Sequence, residues 1–179
     1  MFYISEVNTI APIKFSTPLQ EEVYFTLQKI NIPFLRVDTD EAITMDDCTF
    51  INEKLNMKMV KTLFLCNRQQ TAFYLFITRG NKPFRSKDFS SALNIARVSF
   101  APEELMKEML GTKIGAATIF STLLDKNKDV QIVFDKDVTS DEWYGCSDGT
   151  TTGYMKVRTK QIINDFLPFT NHELSIIEV

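Results

Sequence analysis

A single histidine, His172, stands among 179 residues. A centre built on several histidines is therefore excluded, and a Ser-His-Asp or Cys-His triad has only His172 to use. Cysteine is scarce too. Cys48, Cys66 and Cys146 are an odd number without the paired spacing of metal sites, so free thiols in a reduced compartment are expected. No apolar run approaches the roughly 18–20 residues that cross a bilayer. Met1-Phe2-Tyr3-Ile4-Ser5-Glu6 lacks the basic and apolar regions of a secretion signal, so a cytoplasmic protein away from membranes is expected. Positive charge is not in excess: the formal net charge is −3, which argues against a large non-specific grip on nucleic acid and leaves room for a local basic patch. The phosphate-binding motifs GxGxxG and Walker A are missing, as are internal repeats. No ligand cluster suggests a metal or another cofactor.

What is there is apolar and aromatic. Hydrophobic residues make up 44 %, with 15 phenylalanines. The length suits one domain over residues 1–179 with a real core. Lys61-Thr62-Leu63-Phe64-Leu65-Cys66 and Ala72-Phe73-Tyr74-Leu75-Phe76-Ile77-Thr78 flank the polar turn Asn67–Gln70. Such a pair predicts a β-hairpin covered on both faces. Lys61 then stands at the entry to a buried strand, either as a lid on the core or as a cation aimed into a pocket.

Around the hairpin, Thr17-Pro18 predicts a helix start, with Val23, Leu27 and Ile30 on one stripe. Phe34–Val37 reads as a short strand, and Thr44 with Asp47 predicts a capped helix from about Met45 to Met57. A helix from Ser86 or Lys87 to Leu93, a short strand Arg97–Phe100 and a helix Pro102–Leu110 follow. Leu123-Leu124 and Gln131–Phe134, flanking Asp125–Asp129, predict a second hairpin. Trp143–Thr150 reads as a polar loop and Tyr154–Arg158 as a half-exposed strand. Thr159 is expected to cap a helix to about Phe166, with a last strand at Leu174–Ile177. The class is α/β or α+β, with a strongly curved mixed sheet or barrel core surrounded by helices.

Several segments recur together in one family. They are Lys61–Leu65, the turn at Leu124-Asp125-Lys126, Ser99-Phe100-Ala101, and Gly145-Cys146-Ser147-Asp148 followed by Thr151-Thr152. Thr170-Asn171-His172-Glu173 fits the same family's closing segment. The chain resembles the YbaK-like, prolyl-tRNA-synthetase-associated editing domains, and within them the free-standing deacylases of the PrdX/ProX type. The resemblance implies a hydrolase of the ester in mischarged tRNA for proline, carrying a small amino acid such as alanine or cysteine. It implies tRNA as a partner, with prolyl-tRNA synthetase as a further candidate.

The resemblance carries over residue by residue. Lys61 matches the family's pocket lysine, where a cation orients the ester carbonyl or the terminal phosphate. The family's Gly-x-His-Pro becomes Gly145, Cys146, Ser147 and Asp148. Its following asparagine becomes Thr151, beside Thr152, and the asparagine after its lysine becomes Thr62. Gly145 is expected to allow close approach of backbone to substrate. Ser147 keeps a hydrogen-bonding group without histidine's acid–base chemistry. Asp148 adds a charge that either repels phosphates or binds an α-ammonium group, and loop drift is the bland alternative. Cys146 lies beside the site as a thiol with no basic partner but Lys61. Two basic groups, Arg79, Lys82, Arg85 and Lys87, and Lys156, Arg158 and Lys160, are candidates for tRNA phosphates, or are simply solvated faces.

Overall fold

The Thr17 hydroxyl accepts the Gln20 amide at 3.0 Å, and Pro18 takes the first helical position. That cap opens α1 (Pro18–Lys29), where the sequence predicts it. The computed structural model, which describes residues 1–179, continues with β1 (Leu35–Asp38), α2 (Met45–Leu55), β2 (Val60–Cys66), β3 (Phe73–Arg79), α3 (Ser86–Leu93) and β4 (Ser99–Phe100). Next comes α4 (Glu103–Leu105), which widens into a π turn at Met106–Leu110. A 3-10 turn, Ile119–Leu123, leads to β5 (Val130–Asp135), α5 (Lys136–Thr139), β6 (Trp143–Ser147) and β7 (Gly153–Arg158). Finally α6 (Thr159–Gln161) runs through a π turn, Ile162–Phe166, into α7 (Leu167–Phe169), before β8 (Leu174–Ile177).

α2 starts on a reciprocal cap. Thr44 Oγ1 accepts the Asp47 amide at 3.1 Å, and the Asp47 carboxylate accepts the Thr44 amide at 2.8 Å. It ends at Asn56, whose φ of 48° is left-handed, just short of the expected Met57.

The strands form two sheets. One has the order β1-β7-β6 and is antiparallel; the other has the order β4-β2-β3-β5-β8 and is mixed. In the second, β2 pairs antiparallel with β3 and β4, while β5 runs parallel to β3 and β8. A single parallel bridge, Met59 to Gly145, joins the sheets. The expected barrel is therefore not closed.

Both faces of the β2–β3 hairpin are covered, as its unbroken apolar runs predict. Phe64, Leu75 and Ile77 face the main core with α1 residues Val23 and Leu27 and with Tyr144 and Val157 of the smaller sheet. Leu65, Tyr74 and Phe76 face a second cluster with Phe89 of α3. Ile51 and Leu55 of α2 cover the smaller sheet at Val37 and Tyr154. Each such side chain contributes about 1.5–3 kcal/mol on burial. An exposed ion pair contributes about 0–1 kcal/mol. Core burial therefore outweighs the surface pairs in setting this architecture.

Four expectations fail. Leu123–Leu124 is the end of a 3-10 turn rather than a strand, and β5 finds parallel partners instead of a hairpin partner. Local sequence does not encode those long-range pairings. Trp143–Ser147 is strand β6, buried from Tyr144 onward, and β7 is buried throughout except at Arg158. The main core and α2 together cover both faces of this sheet, so its polar residues lie inside. Thr159 is already helical and Arg158 occupies the cap position without a side-chain bond.

One of those inside residues is Asp148, fully buried. Its carboxylate accepts from the Tyr24 hydroxyl at 2.8 Å, Gln20 Nε2 at 2.9 Å and Thr150 Oγ1 at 2.7 Å. Burial, and then the charge of Asp148, push the Tyr24 phenol well above its ordinary pKa, so it stays a donor. The carboxylate lies against Gly153, where a Cβ would stand 2.2 Å from Asp148 Oδ2. Tyr24→Phe should cost about 2 kcal/mol by removing a donor from a buried acceptor. Gly153→Ala should cost at least as much through overpacking. Each should lower the Tm in calorimetry by roughly 4–8 °C.

Candidate functional site

The seam between the sheets opens into a cavity of about 540 Å³, within the range of small-molecule sites. Lys61 and Thr62 of β2 line one side, and Cys146 and Ser147 of β6 the other. Leu63, Phe64, Met59, Met106 and Tyr154 make the rest largely apolar, with Ile43 and Ile114 among the lining residues that remain exposed. The cavity runs along an open strand edge. β4 pairs only with Leu65 and Cys66, and β6 meets this edge only at the Met59–Gly145 bridge, so Lys61–Leu63 pairs with no strand on that side. The Phe64 carbonyl accepts the Ala101 amide at 2.9 Å. By the alternation of an antiparallel strand, the main-chain N–H and C=O of Thr62 point out of the same edge.

Lys61 meets no carboxylate. Its ammonium donates to the Lys82 carbonyl oxygen, and partial burial lowers its pKa below the ordinary lysine value. Lys82 is itself fixed by Asp135 at 2.8 Å and Asp137 at 3.1 Å. The cation is thus held in place by a neighbouring carbonyl without being neutralised. A second chamber of about 470 Å³ adjoins the first and shares Met45, Cys48, Met59, Val60 and Lys61 with it.

The opposite wall supplies no acid–base group. Ser147 Oγ donates to the Thr150 carbonyl at 2.5 Å and accepts the Gly149 amide at 3.0 Å, so its hydroxyl is committed to the β6–β7 turn. Burial, reinforced by Asp148, raises the Cys146 pKa far enough to keep the thiol protonated at neutral pH. His172 does not line the cavity. Its Nε2 lies 2.9 Å from Asp125 Oδ2, and Nδ1 lies 2.9 Å from the Thr170 carbonyl oxygen, which ties the closing segment to the turn before β5. A triad on His172 is excluded by this placement.

Other expected wall residues lie elsewhere. A Cβ on Gly145 would stand 2.5 Å from Met57 Sδ and 3.1 Å from the Lys58 carbonyl, so this glycine lets the two sheets approach each other. Asp148 points inward, away from the cavity, and can neither repel phosphate nor bind an ammonium group there. Thr151 Oγ1 donates to Glu41 Oε1 at 2.9 Å, and the Thr152 carbonyl accepts the Thr39 amide at 2.9 Å. Neither threonine lines the cavity.

The basic groups are largely committed too. Arg79 pairs with Asp141 at 2.7 Å and Lys82 with Asp135 and Asp137, leaving Arg85 and Lys87 exposed. Lys156 is only 7 % exposed, and it and Arg158 each lie 4.5 Å from the centre of the Trp143 ring. Arg158 also pairs with Glu142 at 2.7 Å, and Lys160 is exposed on α6. Sequence reading missed Cys48, Met59, Tyr154 and the open edge of β2. Only the strand pairing places them together.

Comparison with known proteins gives the family of the chain. The profile of the aminoacyl-tRNA editing domain matches residues 40–164, which span every cavity-lining residue. The chain belongs to the aminoacyl-tRNA editing domain family. The prolyl-tRNA editing protein ProX of Acetoanaerobium sticklandii is 24 % identical over 66 % of this chain and 73 % of that protein. A prolyl-tRNA synthetase associated domain-containing protein of Danio rerio is also 24 % identical, over 91 % of this chain and 86 % of its own. A candidate trans-editing enzyme for prolyl tRNA synthetase shares the fold, with a TM-score of 0.64 at 15 % identity, over 92 % of this chain and 99 % of that one. In this editing domain no helix is long and apolar enough to cross a membrane.

Two measurements check the geometry. Cys48 lines both chambers and is half-exposed, whereas Cys66 and Cys146 are buried. A thiol reagent on the native protein should label Cys48 first, as read by peptide mass spectrometry, and slowly, because burial and Asp47 raise its pKa. Lys61 has a lower pKa folded than unfolded, so between the two values the unfolded chain holds the extra proton. Stability should therefore rise with pH across that window, and Lys61→Met should flatten the rise in urea unfolding at pH 8 and 10.

Proposed function

We propose that this chain is a trans-acting deacylase that hydrolyses the ester of mischarged tRNA for proline, removing a small amino acid such as alanine or cysteine. The observation that carries the reading is the meeting of Lys61 and Thr62 with Ser147 at one apolar cavity, from two different sheets. The family membership supplies the reaction class.

In this reading the aminoacyl group enters between β2 and β6. Lys61 and the Thr62 N–H face the ester carbonyl and stabilise the negative charge that grows on its oxygen. Water attacks the carbonyl carbon, the bond to the ribose oxygen breaks, and that oxygen takes a proton. Free amino acid and uncharged tRNA leave. The wall offers no general base, so positioning of ester and water supplies the acceleration, with a ribose hydroxyl of the substrate as the nearest proton carrier. The apolar wall favours small uncharged side chains. A buried pocket discriminates by size only over roughly 10–200-fold per methylene, so exclusion of proline rests on shape. The synthetase that makes the mischarged tRNA is the natural source of substrate.

A second reading is favoured by the committed Ser147 hydroxyl and the protonated Cys146: a domain that binds aminoacyl-tRNA without turning it over. Deacylation of alanyl-, cysteinyl- and prolyl-tRNA for proline separates the two. The deacylase reading expects release from the alanyl or cysteinyl form, and Lys61→Ala should slow it by roughly 100-fold, the loss typical of one charge-stabilising group. Binding with no release above background from any of the three selects the second reading. Activity then created by Ser147→His would identify the missing group.

A further inference from the structure

We infer that the second chamber is a phosphate subsite for the 3′ strand of the substrate, with Lys58 as its free cation. The inference rests on the editing reading of the neighbouring cavity and extends it to residues beyond the ester. Lys58, Lys61 and Arg79 line this chamber, with Asp141 as its one acid. Arg79 and Asp141 neutralise each other at 2.7 Å. Two cations therefore remain. Lys61 stands at the junction of the chambers, and Lys58 is exposed on the outer side with no carboxylate in ion-pair range.

The shape of the chamber is built in. The Met59 amide donates to Asn52 Oδ1 at 2.8 Å, which fixes the α2–β2 connection that carries Lys58. Gly80 passes so close that a Cβ there would stand 2.6 Å from the Met59 carbonyl oxygen. These fixed main-chain segments share the lining with Met45, Cys48 and Thr49, and Lys58 is the exposed cation among them. An ester in the first cavity places the ribose near Lys61. The chain of nucleotides must then leave along an open route, and the phosphodiester before the terminal nucleoside is the first group to meet the next free cation. An apolar chamber followed by a cationic one matches the order of an aminoacyl group followed by a phosphate.

Lys58→Ala, Lys58→Glu and Lys58→Arg are compared with the wild type on two substrates. One is aminoacyl-tRNA; the other is the same amino acid esterified to adenosine, which lacks the phosphate. The expected result is a rise in KM for the tRNA of about 5-fold for Ala and more for Glu, with kcat and the adenosine ester unaffected and with Arg close to wild type. Salt dependence of binding should fall by about 0.7 in the slope of log K against log salt, the contribution of one phosphate on a single strand. Equal losses on both substrates, or no loss on tRNA, would overturn the inference while leaving the deacylase reading intact. If the wild type hydrolyses neither substrate, the deacylase reading fails. Binding of an uncharged CCA-ended RNA hairpin then decides the subsite alone, since a Lys58→Glu variant that binds it as tightly as wild type rejects it.

Discussion

The site depends on a close contact that only glycine permits. Met57 Sδ and the Lys58 carbonyl sit where a Gly145 side chain would be, so the start of β2 lies directly against β6 and Met59 bridges to it. That seam sets Lys61 and Thr62 opposite Cys146 and Ser147. Any larger residue at 145 forces the sheets apart, and the cavity would widen or close with them. Gly145 thus acts on the site through the packing of the two sheets.

Much of this was legible in the chain. Thr17-Pro18, the Thr44–Asp47 box and the two apolar runs of the hairpin are local signals, and each produced its element because cap and burial chemistry act within a few residues. The smaller sheet was misjudged because its polar letters suggested solvent. Cys146, Ser147, Asp148 and Lys156 are instead buried, with Asp148 bound by Gln20 and Tyr24 of α1 and Lys156 by the Asn56 carbonyl, all distant in sequence. The site was half legible. Lys61 and Ser147 could be named from their motif, but strand order alone decides that Thr151 and Thr152 turn toward Glu41 and Thr39 while Tyr154 and Met59 reach the cavity.

The placement of charge separates two jobs that the sequence runs together. Arg79 and Lys82 belong to an acid-balanced network with Asp135, Asp137 and Asp141 at the ends of β3 and β5. That network orients the Lys82 carbonyl toward Lys61 and so works as scaffolding. Among the residues lining the two chambers, the cations left without an acid partner are Lys58 and Lys61.

The Asp148 arrangement sets the unit in which this loop can be exchanged with a relative. Its carboxylate, the Tyr24 hydroxyl, the Gln20 amide, Thr150 and the bare Cα of Gly153 form one interlocked set drawn from α1 and the β6–β7 turn. A proline at 148 would strand Tyr24 and Gln20 as buried donors and leave a void over Gly153. Transplanting the loop of another editing domain therefore means transplanting its α1 contacts as well: the smallest interchangeable module is discontinuous, and a cassette cut from residues 145–153 alone carries only half of it.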